Sequence, residues 1–328
     1  MTAAVPALDD LLAAATVVSL PMRVRFRGIT TREVLLLDGP AGWGEFGPFP
    51  EYHDGEAACW LRSAIECAWQ GPPPARRAEV PVNATVPAIE AARVPEILAR
   101  FPGARTAKVK VAEQGQTLAD DLARVAAVRE HVEHVRVDAN GGWSVDEAAA
   151  ALTALTADGD LQYAEQPCAS VPELVELRRR LTGRGIRIAA DESIRRAEDP
   201  MRVVRAGAAD VAVVKVAPLG GVRALLRLSE ELAEHGVPVV VSSALDSTVG
   251  IGAGLAAAAA LPDLEFACGL GTGSLLAEDV AAPRRMRDGA LSAALVDPDP
   301  ERLARLRATG ERTDWWLARL ARCHTLLG

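Results

Sequence analysis

Three lysines stand apart in this chain. It carries 36 lysines and arginines, and only Lys108, Lys110 and Lys215 are lysine. They lie in apolar runs, Ala107-Lys108-Val109-Lys110-Val111 and Val211-Ala212-Val213-Val214-Lys215-Val216. Arginine serves wherever positive charge alone is needed. It cannot give up its proton in a protein, whereas a lysine pKa falls readily when the amine is buried or crowded by cations. Lysines kept at strand positions are therefore expected to move protons. Read singly, each could equally be a strand-end lysine reaching solvent along its alkyl stem.

Acidic groups recur at matching places. Asp138, Glu165 and Asp191 each close an apolar run, and Lys215 closes the next, at intervals of 27, 26 and 24 residues. One acidic strand end alone reads as a helix cap. Three in succession make an oxygen-rich set suited to a hard divalent cation such as Mg²⁺, which keeps positions open for substrate. Side chains alternate along a strand, so Lys108 shares a face with Lys110, and Arg136 with Asp138 one layer deeper. With Lys110 and Lys215 on opposite flanks of the acids, the two amines would face each other across the metal. Neighbouring positive charge lowers a lysine pKa towards that of a working base. A divalent cation stabilises the enolate left when a proton departs beside a carboxylate.

The elements that must position these groups follow from the periodicity. Residues 1 to 80 differ from the rest. Arg23–Phe26 and Glu33–Leu37 read as a hairpin, Gly42–Pro50 as a loop, Gly55–Trp69 as a helix, and Gly71-Pro72-Pro73-Pro74 as a boundary. This predicts a small α+β domain. From 81 to 268, eight β-branched runs alternate with amphipathic segments: Val82–Val86, Ala107–Val111, His134–Asp138, Leu161–Glu165, Ile186–Asp191, Asp210–Val216, Val237–Ser243 and Leu264–Ala267. Helices fit Leu118–His131, Val145–Leu155 and Val222–His235. Eight βα units are the count of a closed barrel, whose chemistry sits at strand C-termini. The alternative, an open doubly wound sheet, lacks its glycine-rich first turn after Val86. Residues 269 to 328 hold a helix near Glu301–Leu306 and are expected to return to the first domain.

Composition narrows the function. A net charge of −8 argues against nucleic-acid binding, and the longest apolar stretch, Val249–Leu261, is too short to span a membrane. The start, with Asp9 and Asp10, does not read as a secretory signal. Five scattered cysteines without a C-x-x-C pair predict reduced thiols and a cytoplasmic protein. Five histidines show no ligand spacing, although His53 lies in a loop that could close a site. Arg178-Arg179-Arg180 reads as an exposed helix face. Gly269-Leu270-Gly271-Thr272-Gly273 reads as close backbone approach to substrate. Ser242 and Ser243 precede a helix from Thr248, a place for a substrate carboxylate or for ordinary capping.

The ordered set resembles the enolase superfamily, specifically its muconate-lactonizing branch. It is carried by Gly42-Trp43-Gly44-Glu45, Lys108-Val109-Lys110, Asp138-Ala139-Asn140, Glu165-Gln166-Pro167, Asp191-Glu192-Ser193 and Lys215. The resemblance implies an α/β fold, a modified TIM barrel of the (β/α)7β kind, with an N-terminal α+β capping domain completed by the C-terminal segment. It implies Mg²⁺ on Asp138, Glu165 and Asp191, with Lys110 and Lys215 on opposite faces of a small carboxylate substrate. Monomer and homo-oligomer are both open.

Arg136 and the Ser242–Ser247 stretch bring the closest likeness to branch members that dehydrate 2-succinyl-6-hydroxy-2,4-cyclohexadiene-1-carboxylate to o-succinylbenzoate in menaquinone biosynthesis. By that likeness Lys110 takes the proton, Lys215 stabilises the enediolate and Lys108 tunes Lys110. Arg136, Asn140, Ser242, Ser243 and Gly271 are expected at the substrate. Racemisation of N-acylamino acids, dipeptide epimerisation and cycloisomerisation are alternatives on the same site, and a silent barrel binding a carboxylate is another. Dipeptide epimerases of the branch carry an acidic pair in the loop after strand eight; Gly269–Gly273 has no acid.

Overall fold

The computed structural model describes residues 5–26, 28–195 and 199–328. After a short helix, Leu8–Ala13, strands β1 (Ala15–Phe26) and β2 (Ile29–Gly39) form an antiparallel hairpin longer than the periodicity predicts. Strand β3 (Gly42–Phe46) pairs with β2 where the glycines predict a loop. The reason is close packing. A Cβ on Gly44 would stand 2.0 Å from the Ala64 carbonyl oxygen, so glycine lets β3 lie against helix Asp54–Ile65.

The run Val34–Leu37 is buried throughout, because β2 is covered on both faces. Leu35 and Leu37 pack with Trp60 and Leu61 and with Trp316 and Leu320 of helix Gly310–His324. Val34 and Leu36 pack with Val18, Leu276, Val280 and Leu306. The tail therefore lies on the N-terminal sheet through helix Pro300–Leu306 and the further helix Gly310–His324. Arg319, 1% exposed, donates to the carbonyls of Phe49 (3.1 Å) and Tyr52 (2.6 Å). Trp316 Nε1 donates to Glu33 Oε2 at 3.1 Å.

Strand β4 (Glu79–Pro81) pairs antiparallel with β12 (Ala290–Ser292) beside the barrel. The barrel strands are β5 (Ala84–Val86), β6 (Thr106–Lys110), β7 (His134–Asp138), β8 (Ala164–Glu165), β9 (Ile188–Ala190), β10 (Val211–Val214) and β11 (Val239–Val241). All pair in parallel with their sequence neighbours in one seven-stranded sheet. The eighth strand predicted at Leu264–Ala267 is replaced by two bridges one step later: Cys268 with Val82, and Gly269 with Ser242. Cys268 N–H donates to Pro81 at 2.7 Å, and Gly269 N–H donates to Val241 at 2.8 Å, which closes the ring.

Helices Leu118–Arg129, Val145–Leu155 and Val171–Arg180 each start with a reciprocal capping box, at Thr117/Asp120, Ser144/Glu147 and Ser170/Glu173. They cover the outside of the sheet. Tyr163, Ala189, Val211, Val213, Val240 and Phe266 fill its inside. Among the described residues no helix is long and apolar enough to cross a membrane.

Candidate active site

Strand register builds the site. Lys110 is paired with Asp138, and Asp138 with Glu165, so these three stand in one row across β6, β7 and β8. Ala189 is paired with Glu165, and pleat alternation puts Asp191 on the same face just beyond β9. Val211 is opposite Ala189, and Lys215 follows on that face past the end of β10.

Ion pairs join this row. Lys108 Nζ bridges Glu165 Oε1 (2.9 Å) and Asp138 Oδ2 (3.0 Å). Lys110 Nζ donates to Asp138 Oδ2 (2.7 Å) and Asn140 Oδ1 (2.5 Å). Lys215 Nζ donates to Asp191 Oδ2. Asn140 adds its own N–H to Asp138 Oδ1 at 3.1 Å and its side-chain amide to Glu192 at 3.3 Å. Among the described residues no three acid, histidine or cysteine side chains close on one point at coordination distance. Each of the three acids turns an oxygen to a lysine instead.

The charges act strongly on one another. Burial works to raise the Asp138 pKa, but the Lys108 and Lys110 ammonium groups hold it well below the usual carboxylate range. Glu165 is pushed up to about 7 by burial and by repulsion from Asp138 and Asp191, against the pull of Lys108. Burial opposes the charge on Lys108, yet Asp138 and Glu165 keep its pKa well above normal. Glu165 Oε2 is buried and has no hydrogen-bond partner among the described residues. A buried, unpaired carboxylate oxygen between two further carboxylates matches a hard cation's donor set.

Other expected contacts are placed differently. Arg136 lies one layer down, fully buried. It donates to Gln162 Oε1 (2.8 Å), Tyr163 Oη (3.0 Å), the Ala267 carbonyl (2.8 Å) and Asn83 Oδ1 (3.3 Å), with its guanidinium 4.8 Å from the Tyr163 ring centroid. These bonds set it in the barrel floor, with Nη2 left without a hydrogen-bond partner among the described residues. Ser243 Oγ bonds the Gly269 carbonyl (3.1 Å) and Thr272 Oγ1 (2.7 Å), and Ser242 Oγ is 3.4 Å from the Gly269 carbonyl. Gly271 is needed because a Cβ would stand 2.8 Å from the Phe101 ring, a packing demand within the protein. His53 caps helix Asp54–Ile65, its Nδ1 accepting from Glu56 N–H at 3.1 Å.

The helix at Thr248–Ala260 offers no seat for a substrate carboxylate, because the chain's own acids fill it. Glu45 Oε2 accepts from Ser247 N–H (3.0 Å), Gly250 N–H (3.2 Å) and the Ser247 hydroxyl. Asp279 Oδ2 accepts from Thr248 N–H (2.9 Å) and Oγ1 (2.6 Å). Arg32 Nε holds the carbonyl of Leu245, a residue at φ +63° in the left-handed region. The N-terminal sheet thereby grips the loop after β11.

Burial and the neighbouring Asp246 push Glu45 up to about 8, with Asp279 adding to the rise and Arg32 and Ser247 opposing it. A raised acid pKa means the folded state keeps a proton that the unfolded chain releases. Its stability contribution is full below about pH 4.5 and is lost as pH rises through about 8. Glu45→Gln keeps an acceptor for Ser247 and Gly250 and cannot ionise. Its denaturation free energy should fall less steeply across that window than that of the wild type. Glu45→Ala should cost about 1–3 kcal/mol by stranding buried N–H donors. Equal slopes for wild type and Glu45→Gln in urea titrations at several pH values would refute this.

Comparison with known proteins agrees with the geometry. Residues 17–68 match the enolase N-terminal domain-like family and residues 91–299 the enolase C-terminal domain-like family. The chain is 64% identical over 327 residues to o-succinylbenzoate synthase of Mycolicibacterium smegmatis, covering 100% of both. It is 65% identical over 320 residues to that of Mycobacterium ulcerans, covering 98% of this chain and 96% of the relative. The muconate lactonizing enzyme of Pseudomonas fluorescens, solved with muconolactone, superposes with a TM-score of 0.76 at 24% identity, over 90% of this chain and 98% of that one. That likeness bears on the fold. The chain belongs to the enolase superfamily and, within it, to the family of the o-succinylbenzoate synthases.

Proposed function

We propose that the chain dehydrates 2-succinyl-6-hydroxy-2,4-cyclohexadiene-1-carboxylate to o-succinylbenzoate, a lyase step of menaquinone biosynthesis. The observation that carries this is the row Lys110, Asp138, Glu165, Asp191, Lys215, with an amine at each end of three buried acids. Full-length identity of 64% to an o-succinylbenzoate synthase supports the choice of reaction. Five free cysteines support a cytoplasmic setting.

Asp138, Glu165 and Asp191 would hold Mg²⁺. When bound, the ion supplies positive charge opposite the oxygens of the substrate's ring carboxylate. Lys110 takes the proton from the carbon beside that carboxylate, and the C–H electrons become an enediolate. The Lys215 ammonium lies on the other side and stabilises that charge. The neighbouring carbon then releases hydroxide as the ring becomes aromatic, so one water is lost overall. Lys108 pins Asp138 and Glu165 together beside Lys110. Asn140, bonded to Lys110, orients the amine.

The test is a direct assay on purified protein with Mg²⁺. Aromatic product formation should be followed in the ultraviolet beside racemisation of N-succinylamino acids. Product at a kcat/KM of about 10⁴ M⁻¹s⁻¹ or more is expected. Racemisation without any o-succinylbenzoate would overturn the assignment.

A further inference from the structure

We infer that Gln166 is the positioning residue that sets the three acidic strand ends relative to one another, and so tunes the affinity of the site for a divalent cation. This rests on the metal reading of Asp138, Glu165 and Asp191 given above.

Gln166 follows Glu165 directly and is 1% exposed. Its φ is +38°, in the left-handed region that side-chain-bearing residues rarely adopt. That backbone turn sends its side chain across to the next strand end. Its Oε1 accepts from the backbone N–H of Asp191 (3.1 Å) and of Ser193 (3.2 Å). Its Nε2 donates to the Cys168 carbonyl (2.9 Å) and to Ser193 Oγ (2.7 Å). Both acceptor sites and both donors of the amide are thus used.

The backbone of Gln166 reaches the other way. Its carbonyl accepts from Gly141 N–H at 2.6 Å, in the turn after Asp138, while the Glu165 carbonyl accepts from Ala139 N–H at 3.1 Å. Its own N–H donates to the Ala189 carbonyl at 2.8 Å. One residue therefore ties the segment after Asp138, the segment after Glu165 and the segment carrying Asp191. Lysines already hold the three carboxylates, so what Gln166 adds is the relative placement of the strand ends that carry them. Groups that orient metal ligands typically change metal affinity 10–100-fold when removed. A buried amide serving the fold alone would cost stability and leave affinity unchanged.

The experiment measures Mn²⁺ binding to EDTA-stripped protein by calorimetry, beside thermal unfolding. Gln166→Met, of similar length but unable to hydrogen-bond, should bind Mn²⁺ 10–100-fold more weakly than wild type. Gln166→Glu keeps both acceptor bonds to the Asp191 segment and should recover at least half of the lost decades. Leu152→Ala, a core truncation on helix Val145–Leu155, is the control: it should lower the melting temperature and leave Mn²⁺ affinity within about threefold. Wild-type affinity in Gln166→Met, or an equal loss in Leu152→Ala, overturns the inference while the metal reading stands. A wild type that takes up no Mn²⁺ overturns both.

Discussion

Lys110→Ala is expected to lower kcat for dehydration by about 10³-fold or more, with KM changed by no more than about threefold. The expectation rests on a separation of roles visible in the row. Lys110 shares Asp138 with Lys108, and Asn140 N–H holds the other Asp138 oxygen. Losing Lys110 therefore leaves Asp138 still held by Lys108 and the Asn140 N–H, and the fold should survive. Lys108 lacks that redundancy, since it alone among the lysines bridges Asp138 and Glu165. Lys110→Arg should be as inactive as the alanine variant, because a guanidinium keeps positive charge but cannot accept the proton. Exchange of the substrate's acidic proton in D₂O sharpens the measurement. If Lys110 is the base, exchange and dehydration vanish together; a variant retaining a tenth of wild-type kcat would remove Lys110 from that role.

The rim was legible in the chain because short-range rules fix it. Period-two alternation puts Lys108 and Lys110 on one face, and βα spacing delivers Asp138, Glu165 and Asp191 to successive strand ends. What stayed hidden depends on contacts that no local pattern carries. Glu45 meets Ser247 across 202 residues, and Arg319 meets Phe49 across 270. Alternation puts Arg136 on the Asp138 face, but its use in the floor depends on Tyr163, Asn83 and Ala267 arriving from three other segments. Gly44 and Gly271 looked like turn or substrate glycines, yet both answer to packing against a neighbour. Other elements do carry local signals. The pairs Thr117/Asp120, Ser144/Glu147 and Ser170/Glu173 mark three barrel-helix starts, and Trp316, Leu320 and Cys323 trace the buried stripe of the last long helix.

Glu165→Gln is the complementary large effect, because it removes charge while leaving shape. The amide oxygen can still accept from Lys108, so folding without metal should be preserved. The change takes one of three acids from a site whose charges otherwise cancel: Lys108, Lys110 and Lys215 against Asp138, Glu165 and Asp191. With Mg²⁺ added to the wild type, the same groups carry a net positive charge. That suits a substrate bearing a ring carboxylate and a succinyl carboxylate, and gives a physical reason for a divalent ion beside three lysines. Saturating Mg²⁺, at about 100 times its Kd, should stabilise wild type by about 2.7 kcal/mol. For a chain of this length that is a rise of roughly 5 °C in melting temperature. Glu165→Gln should show less than a third of that rise and a kcat lower by about 10³-fold, in keeping with the loss of charge stabilisation worth about 4 kcal/mol. The check is thermal unfolding of EDTA-treated proteins with and without Mg²⁺, beside the ultraviolet assay. An equal Mg²⁺ shift in the two proteins would mean that the ion binds elsewhere, and Glu165 would then be only Lys108's partner.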